Sequence, residues 1–353
     1  MPICLVTGGA GFIGCAISHD LVTRFDKVIA IDSLHPQVHR TATRPAALAS
    51  GVELHVGDVT VPDMWNQLLD QVAPDTIIHL AAETGTGQSL TEATRHAHVN
   101  VVGTTRMLDA LAARSITPAR VVLASSRAVY GEGAWIDAQG EISYPGQRSA
   151  TMLDAQHWDF PGRRALPFRA DLTQPRPTSV YGATKLAQEH ILNAWALSFG
   201  SSVNIVRLQN VYGPGQSLSN PYTGIVSLFA RLAKAKKSIP VYEDGAMLRD
   251  FVFISDVARA IVSAATTSVD SVLADIGTGV SLSIADIAQI TAGIYDAPPP
   301  HVTGQYRNGD VRHAACNVDI AASQLNWTPT VSATEGIQRL CAWIDGMGED
   351  VAA

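Results

Sequence analysis

The stretch VTGGAGFIG, residues 6–14, limits what this chain can fold into more than any other. It follows an apolar run that reads as a strand, residues 3–7, and opens a segment of helical period, residues 12–24, so its glycines stand at a strand-to-helix turn. In that context a glycine pattern makes a cradle for a pyrophosphate. Gly8 permits the tight turn, Gly11 lets the backbone meet the phosphates, and the N-terminus of the helix faces the anion. Phe12, Ile13 and Gly14 complete the cradle. The next predicted strand, residues 28–32, ends on Asp32, placed to accept hydrogen bonds from a ribose diol. A carboxylate there repels a 2′-phosphate, and no arginine follows immediately, so the expected cofactor is NAD rather than NADP.

Four more runs rich in β-branched residues, at 52–56, 76–80, 121–124 and 203–207, are apolar almost throughout, as strands covered on both faces must be. Segments of helical period at 64–72, 91–113 and 181–199 lie between them. The pattern predicts an α/β fold, a doubly wound parallel sheet. A chain of 353 residues, 46% of them hydrophobic, builds one large or two intimately joined domains. We expect a cofactor-binding unit over residues 1–208 and a smaller C-terminal α/β lobe for the substrate over 209–353, with some chain exchange between them. Residues 132–180 have no clear period, and an irregular stretch of that length reads as a functional excursion.

The formal net charge of −7 gives no global attraction for nucleic acid or an anionic membrane. No apolar run approaches a membrane span and the first residues read as a strand, so neither signal peptide nor anchor is expected, and the expected location is the cytoplasm. Cys4, Cys15, Cys316 and Cys341 have no metal-ligand spacing and read as reduced thiols, used as small hydrophobes. His35, His39, His96 and His98 form no ligand pattern either, and no metal is expected.

Two motifs carry chemistry. In SVYGATK, residues 179–185, Tyr181 and Lys185 are one helical turn apart and share a face. A neighbouring ammonium lowers the proton affinity of a phenol, which makes Tyr181 a base. In LASSRAVYGEG, residues 123–133, a buried strand runs straight into a turn.

With GDV at 57–59, HLAA at 79–82, NVYGPGQ at 210–216 and RDFVFISDVA at 249–258, these motifs resemble the extended short-chain dehydrogenases/reductases that act on nucleotide sugars. The resemblance covers nearly the whole chain and implies a Rossmann-type fold. It implies that Ser126 hydrogen-bonds the reacting sugar hydroxyl, that Tyr181 is its base and that Lys185 holds the nicotinamide ribose. It places Asp58 and Val59 beside the adenine, with Leu80, Ala81 and Ala82 lining the cofactor. Dehydratases of the family carry an Asp and a Glu after the catalytic hydroxyl residue, and decarboxylases keep a Glu; here those places hold Arg127 and Ala128. Ala128 transfers no proton and Arg127 stays charged. What remains serves to remove a hydride and a proton from a secondary alcohol and return the hydride to the other face, the chemistry of a 4-epimerase.

Within the family, DSLHPQVH at 32–39, GTGQS at 85–89, the stretch 210–225, YEDGAMLRDFV at 242–252 and YRNGDVRH at 306–313 resemble the subgroup of dTDP-L-rhamnose 4-epimerases, which interconvert dTDP-L-rhamnose and dTDP-6-deoxy-L-talose. Another nucleotide-diphosphate hexose, such as UDP-glucose, stays open as the substrate. The resemblance further implies Arg249 and Arg312 as diphosphate-binding arginines, Asn210 as a neighbouring amide, and Gln88, Ser89 and Arg127 as contacts to the sugar. Glu83 and the glycine-rich loop after it read equally as a solvated turn. In the family the helices matching 91–113 and 181–199 pack against a twin, which implies a homodimer. Two other functions stay open: a dehydrogenase that releases a keto-sugar, and a non-catalytic NAD-binding regulator, against which Ser126, Tyr181 and Lys185 count.

Overall fold

The computed structural model describes residues 2–218 and 224–347. Seven parallel strands form the central sheet: β1 (Ile3–Thr7), β2 (Lys27–Asp32), β3 (Val52–Val56), β4 (Thr76–His79), β5 (Arg120–Ser126), and, further along the chain, β9 (Ser202–Leu208) and β14 (Leu273–Ile276). Their spatial order is β3-β2-β1-β4-β5-β9-β14. Alternate side chains reach opposite faces, as the pleat requires. Cys4 and Val6 of β1 join one core with Ile17 and Leu21 of α1 (Phe12–Leu21) and Ile261 of α8 (Ile254–Thr266). Leu5 joins another with Trp65 of α2 (Pro62–Leu69), Leu111 of α4 (Gly103–Ala113) and Leu192 of α6 (Val180–Phe199). Burial on both faces is why these strands are legible as apolar runs.

Residues 91–113 form a helical path, as expected, but not one regular helix. α3 (Ala93–Ala97) passes through a π turn at His98–Val102 before α4, and the turn carries the buried Asn100. The excursion has its own antiparallel sheet of β6 (Trp135–Asp137), β7 (Ile142–Ser143) and β8 (Arg163–Ala165), with α5 (Ala150–Asp154) between the last two. These strands are too short for a period to register in sequence.

Beyond residue 208 the chain alternates between two hydrophobic cores. β10 (Asn210–Tyr212) pairs with β13 (Phe251–Phe253), and α7 (Ile225–Lys234), α9 (Ile284–Ile294) and α11 (Ala333–Gly346) enclose a separate core around Phe229, Ile287 and Leu340. Short pairs complete this part: β11 (Pro240–Val241) with β16 (His301–Val302), and β12 (Leu248–Arg249) between β15 (Leu282–Ser283) and β17 (His313–Ala314). α8, β14 and α10 (Asp319–Leu325) return to the large sheet. Of the sequence stretch 210–225, residues 219–223 lie outside the described residues. Among the described residues no helix is long and apolar enough to cross a membrane.

Candidate active site

The carboxyl ends of β1, β2 and β4 open on a cleft of about 350 Å³. Gly8 adopts φ +65°, and a Cβ there would fall 2.8 Å from the Ala81 nitrogen, so only glycine fits between the turn and the segment after β4. Gly11 caps α1 with no side chain on the first helical amides and no acidic residue in the first turn. Those amides therefore keep their affinity for an anion. Asp32 Oδ2 accepts from Ala10 N at 3.0 Å and Oδ1 from Leu34 N at 2.9 Å, which fixes the carboxylate at the cleft wall. Asp58 and Val59 line the same cleft with Leu80, Ala81 and Ala82. A dinucleotide with two phosphates and a ribose diol fits this donor and acceptor set. The Phe12 and Ile13 side chains are turned into hydrophobic cores instead, so they face the cradle with backbone only. Gly14 serves packing: a Cβ there would lie 2.4 Å from Gly9 O.

Several other residues line this cleft, among them His39, expected only to form no ligand pattern, and Glu83, expected equally in a solvated turn. His39 Nε2 stands 3.5 Å from Asp32 Oδ1, and Gln37, Glu83 and Arg95 close one side. Arg95 donates to both Glu83 Oε1 and Gln37 Oε1. These contacts join a loop after β2 to the start of α3, a pairing with no local sequence signal.

Ser126 ends β5, and its Oγ accepts from Ala128 N at 3.2 Å, capping the 3-10 turn Arg127–Tyr130. Tyr181 lies in the first turn of α6. The two meet because Gly182 allows the helix to press on that turn, since a Cβ at Gly182 would sit 2.3 Å from Ala128 O. A buried staple fixes the strands behind them: Arg207 of β9 grips Glu189 of α6 with two hydrogen bonds, at 3.0 and 2.6 Å, and Ser125 donates to the same carboxylate.

The proton affinities differ from expectation. Burial raises the Tyr181 phenol above its ordinary value, while the Ser126 hydrogen bond and the Arg127 charge pull it down. Lys185 makes no hydrogen bond to it. The ammonium donates instead to Gln188 Oε1 at 2.6 Å, and burial brings Lys185 down to about 7. A shared helix face did not guarantee a direct pair.

Three arginines of the substrate side meet different fates. Arg249 is buried and donates to the backbone carbonyls of Leu248, Val311 and Arg312. Arg127 donates through Nε to Asn210 Oδ1 at 2.7 Å. Among the described residues neither has a carboxylate within ion-pair distance; burial and the Arg249 charge bring Arg127 down to about 9. Two guanidinium groups, Arg249 buried and Arg127 half-buried, with no carboxylate in ion-pair contact, create a local demand for an anion. Arg312 is the opposite case. It is 1% exposed, and Asp159, Glu243 and Asp244 take its guanidinium at 2.7–3.1 Å, so the structure does not bring it forward as an open phosphate ligand. Arg307, five residues earlier and exposed, stands with Cζ 5.1 Å from the Tyr242 ring centroid. Its loop forms a small cleft with Gly85, Thr86 and Ser179, beside Tyr181.

Gln88 and Ser89 are turned inward as well. Gln88 is 3% exposed and bonded to Gln37 and Glu92, and Ser89 Oγ donates to Thr86 O at 2.7 Å. Among the described residues no group of three or more His, Cys, Asp or Glu could hold a metal ion.

The family described as NAD dependent epimerase/dehydratase matches residues 4–151 and 159–276. The chain is 58% identical over 341 residues to a dTDP-L-rhamnose 4-epimerase of Burkholderia thailandensis, covering 96% of this chain and 94% of that protein. It is 30% identical to a UDP-glucose 4-epimerase of Mycolicibacterium smegmatis, over 95% and 96% of the two chains. Among solved structures, a UDP-glucose 4-epimerase of Thermus thermophilus in complex with NAD superposes with a TM-score of 0.76 at 26% identity, over 98% and 99% of the chains.

Proposed function

From the premise that the chain belongs to the NAD dependent epimerase/dehydratase family, we propose that it is an NAD-dependent nucleotide-sugar 4-epimerase that interconverts dTDP-L-rhamnose and dTDP-6-deoxy-L-talose. The observation that carries the reading is the placement of Ser126 at the end of β5 and Tyr181 in the first turn of α6, packed on the turn that holds Arg127 and Ala128, with no acid after the serine, in a chain 58% identical to a dTDP-L-rhamnose 4-epimerase.

Asp32 accepts from the adenosine ribose hydroxyls and the amides after Gly11 take the pyrophosphate. NAD, when bound, supplies the hydride acceptor and gives the hydride back. Ser126 orients the sugar 4-hydroxyl, and Tyr181 takes its proton and later returns one to the oxygen. Lys185 holds the nicotinamide ribose. Arg249 and Arg127, two cations with no carboxylate in ion-pair contact, hold the substrate diphosphate with the Asn210 amide alongside. With Arg312 saturated, Arg307 is the third arginine of this group. Ala128 offers no proton to a departing hydroxyl, so the 4-keto sugar is turned and reduced rather than dehydrated.

The protein is read as a homodimer in the cytoplasm. Leu197 and Phe199 at the end of α6 support the dimer, because exposed apolar side chains on that helix are what a twin would cover.

The test is incubation of the purified protein with dTDP-L-rhamnose and no added cofactor, followed by nuclear magnetic resonance of the mixture. A second sugar nucleotide inverted at C4 is expected. An unchanged substrate, or an accumulating keto-sugar, contradicts the proposal.

A further inference from the structure

The amide of Gln188, which the reaction as derived above does not use, sits at the centre of a buried polar network. Gln188, Lys185, His79 and Thr104 are all 2% exposed or less. Lys185 Nζ donates to Gln188 Oε1 at 2.6 Å, and Gln188 Nε2 lies 2.8 Å from Thr104 Oγ1 and 3.1 Å from His79 Nε2. Thr104 spends its own proton on Asn100 O at 2.6 Å, so it accepts from Gln188. An ammonium has donors only, which requires the oxygen of the amide to face Lys185. The amide orientation is therefore fixed from both ends. The chain continues from His79 Nδ1 to Thr7 Oγ1 at 2.7 Å, and Thr7 Oγ1 accepts from Ala81 N on the wall of the cofactor cleft.

The carboxylate nearest in sequence, Glu189, is occupied by Arg207 and Ser125 and makes no ion pair with Lys185. His79 is held neutral, pushed down to about 3 by burial and by the Lys185 charge. The groups bearing on the ammonium are thus His79 from β4, Thr104 from α4, and Tyr181, Gln188 and Glu189 from its own helix. Among them Gln188 alone is hydrogen-bonded to it.

We propose that Gln188 is a positioning residue for Lys185: its locked amide presents a neutral acceptor that fixes the ammonium in place without an ion pair, so that the charge still faces the bound reactants. This rests on the reading of Lys185 as the lysine that holds the cofactor. A glutamate would hold Lys185 as an ion pair and favour its charged form. An apolar residue would leave it without an acceptor. Burial already favours the neutral amine, so the ammonium is present below about pH 7 and lost above it.

The experiment compares Gln188→Glu, Gln188→Leu and Lys185→Ala with the parent holoenzyme. It reads kcat and KM, the pH profile of kcat/KM, and the share of bound NAD(H) kept through extended dialysis. Gln188→Leu is expected to lower kcat by about ten- to a hundredfold, the weight of one charge-assisted hydrogen bond, with KM unchanged and NAD(H) retention reduced. Gln188→Glu keeps the size and shape of the side chain, so it carries the test even where the leucine variant fails to fold. It should move the alkaline limb upward by roughly one pH unit or more, because a carboxylate beside an ammonium favours the charged form. Parental pH profiles, kcat and NAD(H) retention in both Gln188 variants, beside an inactive Lys185→Ala, would reduce Gln188 to packing. A fully active Lys185→Ala would overturn the reading of Lys185 itself, and this proposal with it.

Discussion

Tyr181→Phe is expected to lower kcat by roughly 10²–10⁴-fold, the usual weight of a general base, while the protein melts within a degree or two of the parent. The substitution keeps the ring in contact with the 3-10 turn and His96 and removes only the oxygen that meets Ser126. The pH profile adds an independent check. A base works deprotonated, so the contribution of Tyr181 appears as pH rises through its proton affinity, which burial pushes up and Ser126 and Arg127 pull down. The phenylalanine variant should lose this limb altogether. Steady-state rates across pH, with melting curves at equal NAD, decide the matter.

The largest effect on stability is expected from Glu243. Its carboxylate is 1% exposed and accepts from Arg148 at 2.8 and 2.9 Å and from Arg312 at 3.0 Å. Arg148 belongs to the excursion and Arg312 to the loop that follows Arg307, so Glu243 ties both to the C-terminal lobe. Glu243→Ala leaves two guanidinium groups buried with fewer partners and should cost about 3–5 kcal/mol. The exposed pair Glu335–Arg339 is the control; Glu335→Ala should cost about 0.5 kcal/mol or less. Denaturant unfolding of both variants at the same saturating NAD measures the difference.

These two sites also mark what a sequence can express. β1, β4 and β9 are legible because a strand buried on both faces writes its position as consecutive apolar residues. Gly8, Asp32, Ser126 and Tyr181 are legible because their chemistry lies in short local patterns, and the structure gathers them at the sheet's carboxyl edge. The fate of Arg312 is not local. Its partners Asp159, Glu243 and Asp244 lie 153, 69 and 68 residues away, and only the folded chain reveals that they saturate one arginine while Arg249 meets carbonyls alone. Lys185 teaches the same lesson at closer range. Its spacing to Tyr181 predicts a shared face, yet Gln188, anchored by Thr104 and His79 from distant elements, takes the ammonium. Burial of the Tyr181 phenol, a polar group in the first turn of a helix, has no local sequence signature.

The central claim is that the hydride removed from the sugar returns to the same carbon on the opposite face, with Arg127 and Ala128 leaving no acid for elimination. Substrate deuterated at C4, converted by the purified protein with no added cofactor and weighed by mass spectrometry, tests it directly. The account predicts a C4-inverted product of unchanged mass with deuterium still on that carbon. Loss of deuterium to solvent, or a product lighter by one water, would contradict it.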